Sequence, residues 1–201
     1  QKLIAKVDAN WQLLSKAVCI TLERQLLVQL ASLCVQSLEL EFSLFKALKQ
    51  SAFTFLWGRL QDIGSNEQYQ TFVKNLKTGE LLSFLQKYSV LARLVATAMD
   101  LWVEEKVEFL QRLASDLPTI QQNFLEDTGQ VVDIELNLSD LHNRGRSVIA
   151  LTFAAGLKVV YKPRGLGLED AYFQLLTWCN QHFVETLDAT SLHPFKILKV
   201  I

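Results

Sequence analysis

Near residue 128 the apolar residues change period, and this change constrains the fold more than any other feature of the chain. Up to about residue 125 they recur at helical spacing. Leu14, Val18, Leu22, Leu26, Leu30 and Leu33 fall every three or four positions, as one face of a helix with ~3.6 residues per turn requires. After Asp127-Thr128-Gly129 the pattern alternates. VVDIEL (131–136), SVIALTFA (147–154) and LKVVYK (157–162) are β-branched and alternating, and so read as strands. Helical spacing returns over Leu168 to Phe183, and a last strand is expected from Phe195 to Ile201. The pattern predicts an α+β chain: a helical region over 1–126, then a small antiparallel sheet with one helix over 127–201.

Within the helical region a second run is expected from Leu38 to Leu60, rich in Phe, with QDIGSNEQYQ after it as a loop. Shorter helical pieces follow over Phe72 to Leu85, punctuated by KTGE. A long helix from Ser89 to Leu113 turns Leu91, Leu94, Val95, Ala98, Leu101, Trp102, Leu110 and Leu113 inward, with Glu104, Glu105 and Glu108 on the opposite side. SDLPT (115–119) reads as a stop and restart, with Asp116 as cap and Pro118 in a new first turn.

Half of the 201 residues are hydrophobic and 20% are charged, which supports a buried core and argues against disorder. Twenty basic residues stand against twenty-one acidic ones, with no basic stripe carrying interleaved aromatics. Nucleic acid is therefore not expected as a partner. The most apolar stretch, Leu26 to Phe45, contains Glu39 and Glu41, so no membrane span is expected there. Cys19, Cys34 and Cys179 are odd in number and lie in apolar helical patterns without CxxC, as reduced core thiols in a cytoplasmic protein would. Cys179, His182 and His193 match no common zinc spacing, and no metal site is assigned. The first and last segments read as elements already under way, the pattern of a piece of a longer protein.

SDLHNRGRSVIALTFAAGLKVVYKPR (139–164) concentrates the chemistry. With Ala155-Gly156 as a two-residue turn, Val160 would oppose Leu151 and Lys162 would oppose Ile149. Ile149, Leu151, Phe153, Val160 and Lys162 would then share one face. An ammonium at the edge of such a face either snorkels to solvent or holds an anion. Strand, loop, strand, Lys and helix is the order of a kinase-type N-lobe, in which the loop covers nucleotide phosphates and the Lys holds their oxygens. In that arrangement Val160 would touch the base, Gly145 would let backbone N–H groups approach the phosphates, and His142 and Arg146 would offer charge. No GxGxxG is present. Glu169 or Asp170 would either pair with Lys162 or be ordinary acids of a first helical turn. Arg164 would pair with an acid near the hairpin or contact phosphate, and Asn143 and Arg146 would shape the loop.

The stretch from Ser139 through Gln181, preceded by YSVLARLVATAMDLWVEEKVEFLQRLASD (88–116), closely resembles the N-terminal dehydratase domain of class II (LanM-type) lanthipeptide synthetases. Residues 1–85 fit that family only loosely. The resemblance implies a lipid-kinase-related N-lobe in an enzyme that uses ATP and Mg²⁺ to phosphorylate Ser and Thr of a ribosomal precursor peptide. Elimination of the phosphate would then leave dehydroamino acids. The family's Asp-x-His pair falls on Asp140 and His142, and its Lys, in YKPR, on Lys162. Leu141 stands where the family often has Pro, and Gly165 and Gly167 loosen a helix entry that is usually Ser-Leu; neither departure touches a reacting group. The implied partners are a precursor peptide with its leader and the rest of the synthetase, including a cyclase domain. The metal ligands and second lobe would lie outside these residues, so the isolated chain is expected to be inactive. The rival expectation is a non-catalytic kinase-like module that docks a leader peptide or protein partner.

Overall fold

In the computed structural model, residues 10–49, 65–124, 127–141, 144–183 and 193–200 are described. The fold is α+β: mostly helical, with a three-stranded antiparallel sheet and a helix after it. A 3₁₀ turn (Asn10–Leu13) leads into α1 (Lys16–Lys49); α2 (Ser65–Asn75), a π turn (Leu76–Glu80), α3 (Leu81–Lys87) and α4 (Ser89–Asn123) follow. Strands β1 (Val131–Glu135), β2 (Ile149–Phe153) and β3 (Lys158–Tyr161) then precede α5 (Gly167–Phe183). The chain divides into two compact units, residues 22–103 and residues 1–21 with 104–201. The change of period near residue 128 lies inside the second of these; it marks a change of element.

The unit of residues 22–103 is held by aromatic side chains. Phe42 meets Phe72 at 5.3 Å and Tyr69 at 5.7 Å between ring centroids, and Phe84 meets Tyr88 at 5.0 Å. The Lys87 ammonium and the Tyr88 hydroxyl both donate to Glu41 Oε1, each at 2.6 Å. α1 joins the two helical runs expected from sequence into one helix, since its apolar spacing continues from Leu33 through Leu38 without a breaker. The expected continuation to Leu60, with Phe53, Phe55 and Trp57, lies outside the described residues.

In the other unit the core is one face of the sheet with the second half of α4. Ile149, Leu151 and Phe153 of β2 are buried, as are Val131 and Ile134 of β1 and Phe109, Leu110, Leu113 and Ile120 of α4. Burying each such side chain fully contributes roughly 1.5–3 kcal/mol. Val131 and Ile134 are three positions apart, yet both point inward. A bulge between Val131 and Asp133 leaves Val132 unpaired and resets the alternation. Ser15 N–H donates to Val131 C=O at 2.9 Å, and Leu14 forms a parallel bridge with Val131. The segment before α1 is thus tied to β1, where sequence spacing predicts continuous helix.

Four expectations are corrected. α4 does not stop at SDLPT but runs through Pro118 to Asn123. An interior Pro costs about 3 kcal/mol; here the apolar repeat carries on to a buried Ile120, which offsets part of it. Glu105 and Glu108 are only partly exposed, and Leu94 is half exposed rather than inward. Residues 193–200 form no strand. The hairpin turn has three residues, not two. Phe153 N–H donates to Leu157 C=O at 2.9 Å and Gly156 N–H to Phe153 C=O at 2.8 Å, with Gly156 at φ 86°. Ala154-Ala155 lacks the Asn or Asp that a two-residue turn favours, whereas Gly in third place suits the left-handed residue closing a three-residue loop. The register becomes Ile149↔Tyr161 and Leu151↔Val159. Every side chain of β3 therefore faces the other way from the sequence expectation.

Candidate functional site

In this register Tyr161 turns toward the core, meeting Phe109 at 5.3 Å between ring centroids. Burial pushes its phenol pKa up. Val160 and, by continued alternation, Lys162 project from the opposite, exposed face. The two residues nominated for base and phosphate still share a face, but not the face of Ile149, Leu151 and Phe153.

After Tyr161, Pro163 turns the chain, and Arg164 N–H donates to Lys162 C=O at 2.8 Å. Helix α5 then opens at Gly167, and its first turn carries Glu169 and Asp170. Carboxylates there are favoured by the unpaired N–H groups and the helix dipole. Glu169 lies 3.5 Å from the Lys162 ammonium and 2.5 Å from Arg164 Nη2, both measured to Oε1. Its own backbone N–H first, then Arg164 and Lys162, hold its carboxyl below the usual carboxylate range, against an opposing effect of burial. Asp170 instead accepts from Gln174 at 2.8 Å. Of the two acids that sequence left open as partners of Lys162, the structure selects Glu169, and the same contact places Arg164.

Lys162 lies on the rim of a cleft of about 520 Å³, within the ~300–1,000 Å³ range of small-molecule sites. Phe109, Leu113 and Ile120 of α4 and Phe173 of α5 form apolar wall. β3 is the edge of the sheet, so residues of both its faces, Val160 and Tyr161 included, reach the cleft. Among the described residues, Arg112, Lys158, Lys162, Arg164 and Lys199 line it with the acids Asp116 and Glu169, so their field favours an anion.

The segment between β1 and β2 carries the other nominated residues. Asp140 is exposed, and its backbone carbonyl accepts the Ser139 hydroxyl at 3.0 Å. Ser139 Oγ in turn accepts Val148 N–H at 3.1 Å, which closes the base of the segment. His142 and Asn143 lie outside the described residues. Arg144 and Gly145 are both left-handed, at φ 70° and 93°, and Gly145 is open to solvent. Arg146 donates from Nε to Glu108 Oε2 at 2.7 Å and from Nη2 to the same oxygen. Its guanidinium is thus engaged with α4, and Glu108 raises its pKa. Sequence reading missed Glu108, although Glu104, Glu108 and Arg112 recur every four residues, the spacing of a single helix stripe. Among the described residues no group of three or more His, Cys, Asp and Glu is placed to hold a metal. Cys179 is a free thiol, and no zinc site forms among the described residues.

No curated protein matches the chain. A family model, described as a domain of unknown function (DUF4135), matches residues 88–201, which include all of α4, the sheet, Lys162 and Glu169. With more than half of its length so matched, the chain belongs to the DUF4135 family, a domain associated in general with lanthipeptide synthetases.

Proposed function

We propose that this chain is part of the dehydratase of a class II lanthipeptide synthetase, and that it supplies the nucleotide-facing N-lobe of a kinase-like site. The observation that carries the reading is the Lys162–Glu169 pair at 3.5 Å, on the rim of a cation-rich cleft and on the same face as Val160. A strand-borne ammonium steadied by an acid from the next helix is the arrangement that phosphoryl-transfer enzymes use to hold nucleotide phosphates. Val160 would contact the base, Lys162 the phosphate oxygens, and Gly145 would let backbone N–H groups come close.

Two steps follow. In the first, a Ser or Thr hydroxyl oxygen of the precursor peptide bonds to the γ-phosphorus of ATP while the bond to ADP breaks. Asp140 or His142 takes the hydroxyl proton, and Lys162 offsets the charge on the transferring group. In the second, a base removes the α-proton, the Cβ–O bond breaks, and phosphate leaves with the electron pair. Hydroxide leaves poorly, so phosphorylation is what makes the elimination feasible.

The test is mass spectrometry of a precursor peptide incubated with ATP and the full-length parent. The expected result is phosphorylated or dehydrated Ser and Thr, abolished by Lys162→Ala. Peptide that binds without any ATP-dependent change in mass would refute the enzyme and leave a docking module.

A further inference from the structure

Arg144 and Arg146, in the same β1–β2 segment as Asp140, are held to α4 by charge, and a chain of contacts runs on from there to the residue before Lys162. Arg146 donates twice to Glu108 Oε2. The other carboxylate oxygen of Glu108 accepts Arg112 Nη2 at 2.6 Å. The Arg112 guanidinium lies 6.0 Å from the centre of the Tyr161 ring, one residue before Lys162. One turn back on the same stripe, Glu104 meets Arg144 at 3.4 Å, but with side chains 52% and 70% exposed. The Arg146 side chain is only 17% exposed. A pair so sheltered is screened far less than the outer one. The backbone beside it also needs holding, since a non-Gly residue such as Arg144 at φ 70° persists only when its surroundings fix it.

We propose that Glu108 is a positioning residue of the phosphate site. Through Arg146 it fixes the segment that carries Asp140, and through Arg112 and Tyr161 it fixes the end of β3, which Lys162 directly follows. One carboxylate on a rigid helix thereby sets the separation of the two groups. Arg146 is then a strut, not a phosphate ligand. The role rests on the proposal that Lys162 holds nucleotide phosphates, but the ordering of the segment can be measured without any nucleotide.

Two measurements on the full-length parent test it: amide hydrogen exchange, and calorimetric affinity for a non-hydrolysable ATP analogue. Glu108→Gln keeps the shape and removes the charge. It is expected to speed exchange at 138–141 and 144–148 while leaving 149–153 unchanged. It should also weaken nucleotide by about tenfold, within the range for residues sharing one network. Glu104→Gln, at the exposed pair, should change neither quantity. Unchanged exchange at 138–148 would refute the strut. Faster exchange throughout β2 would make Glu108 a stability residue only and refute positioning, as would a loosened segment with undiminished affinity. A wild-type parent that binds no nucleotide would remove the phosphate site and this role together, whereas a binding wild type matched by Glu108→Gln would remove only this role.

Discussion

Gly129 offers the sharpest test of how the hairpin is seated. It enters β1 at φ 66°, and a Cβ there would lie 2.9 Å from the Ala154 Cβ. Around it the 127–130 turn and the hairpin tip are joined by backbone bonds: Ala154 N–H to Gln130 C=O at 2.8 Å and Ala155 N–H to Thr128 C=O at 3.2 Å. Asp127 Oδ1 also accepts Gly129 N–H at 2.9 Å. Gly129→Ala therefore carries two separate penalties. The left-handed backbone costs about 1–2 kcal/mol. The contact costs a further ~1–3 kcal/mol, because Ala154 has no rotamer with which to withdraw. The sum, about 2–5 kcal/mol, would lower a urea midpoint by roughly 1–2.5 M at an m-value of ~2 kcal/mol/M. Ala154→Gly removes the contact but not the backbone strain, and alone costs only about 0.5–1 kcal/mol. The double variant should consequently recover ~1–3 kcal/mol relative to the sum of the singles, read from urea unfolding followed by circular dichroism. Additivity to within ~0.5 kcal/mol would show that the two residues are independent. The 127–130 turn would then not seat against the hairpin as described.

Three further outcomes are expected. Pro118→Ala should raise the urea midpoint, adding about 1–2 kcal/mol, because it restores an interior helix bond at the cost of a more flexible unfolded chain; an unchanged or lowered midpoint would argue that α4 is interrupted there. Phe109→Ala, at a fully buried ring against Tyr161, should cost about 3–5 kcal/mol and lower the phenol pKa of Tyr161 in a spectroscopic titration at alkaline pH; loss of stability without that shift would detach the two rings. Glu41, held below the usual carboxylate range first by its hydrogen bond from Lys87 and then by Tyr88, favours the folded state above the unfolded carboxyl pKa of about 4.3. That stability disappears as pH falls through the lower folded value. Glu41→Gln should therefore flatten the acid limb of a stability–pH curve and leave the neutral region otherwise parallel, and an unaltered acid limb would contradict the contact.

The hairpin shows why some of the site was legible in the sequence and some was not. Alternation alone located β2 and β3 and placed Val160 and Lys162 on one face, because residues two apart share a face in any register. Which face that is depends on the turn, and AAG is compatible with two lengths; tertiary burial of Tyr161 against Phe109 decides between them. The bulge at Val132 was hidden for the same reason, since strict alternation and a bulged strand draw on the same residues. α4 illustrates the opposite failure. Its stripe of Glu104, Glu108 and Arg112 was visible, but acids on a helix are assigned to water by default. Only the return of Arg144 and Arg146 from a segment some forty residues away turns that stripe toward the protein. Local spacing thus reports which residues travel together, while long-range pairing reports where they go. The proposed site depends on both: Lys162 and Val160 are joined by spacing, and Glu169 and Glu108 are brought to them by the fold.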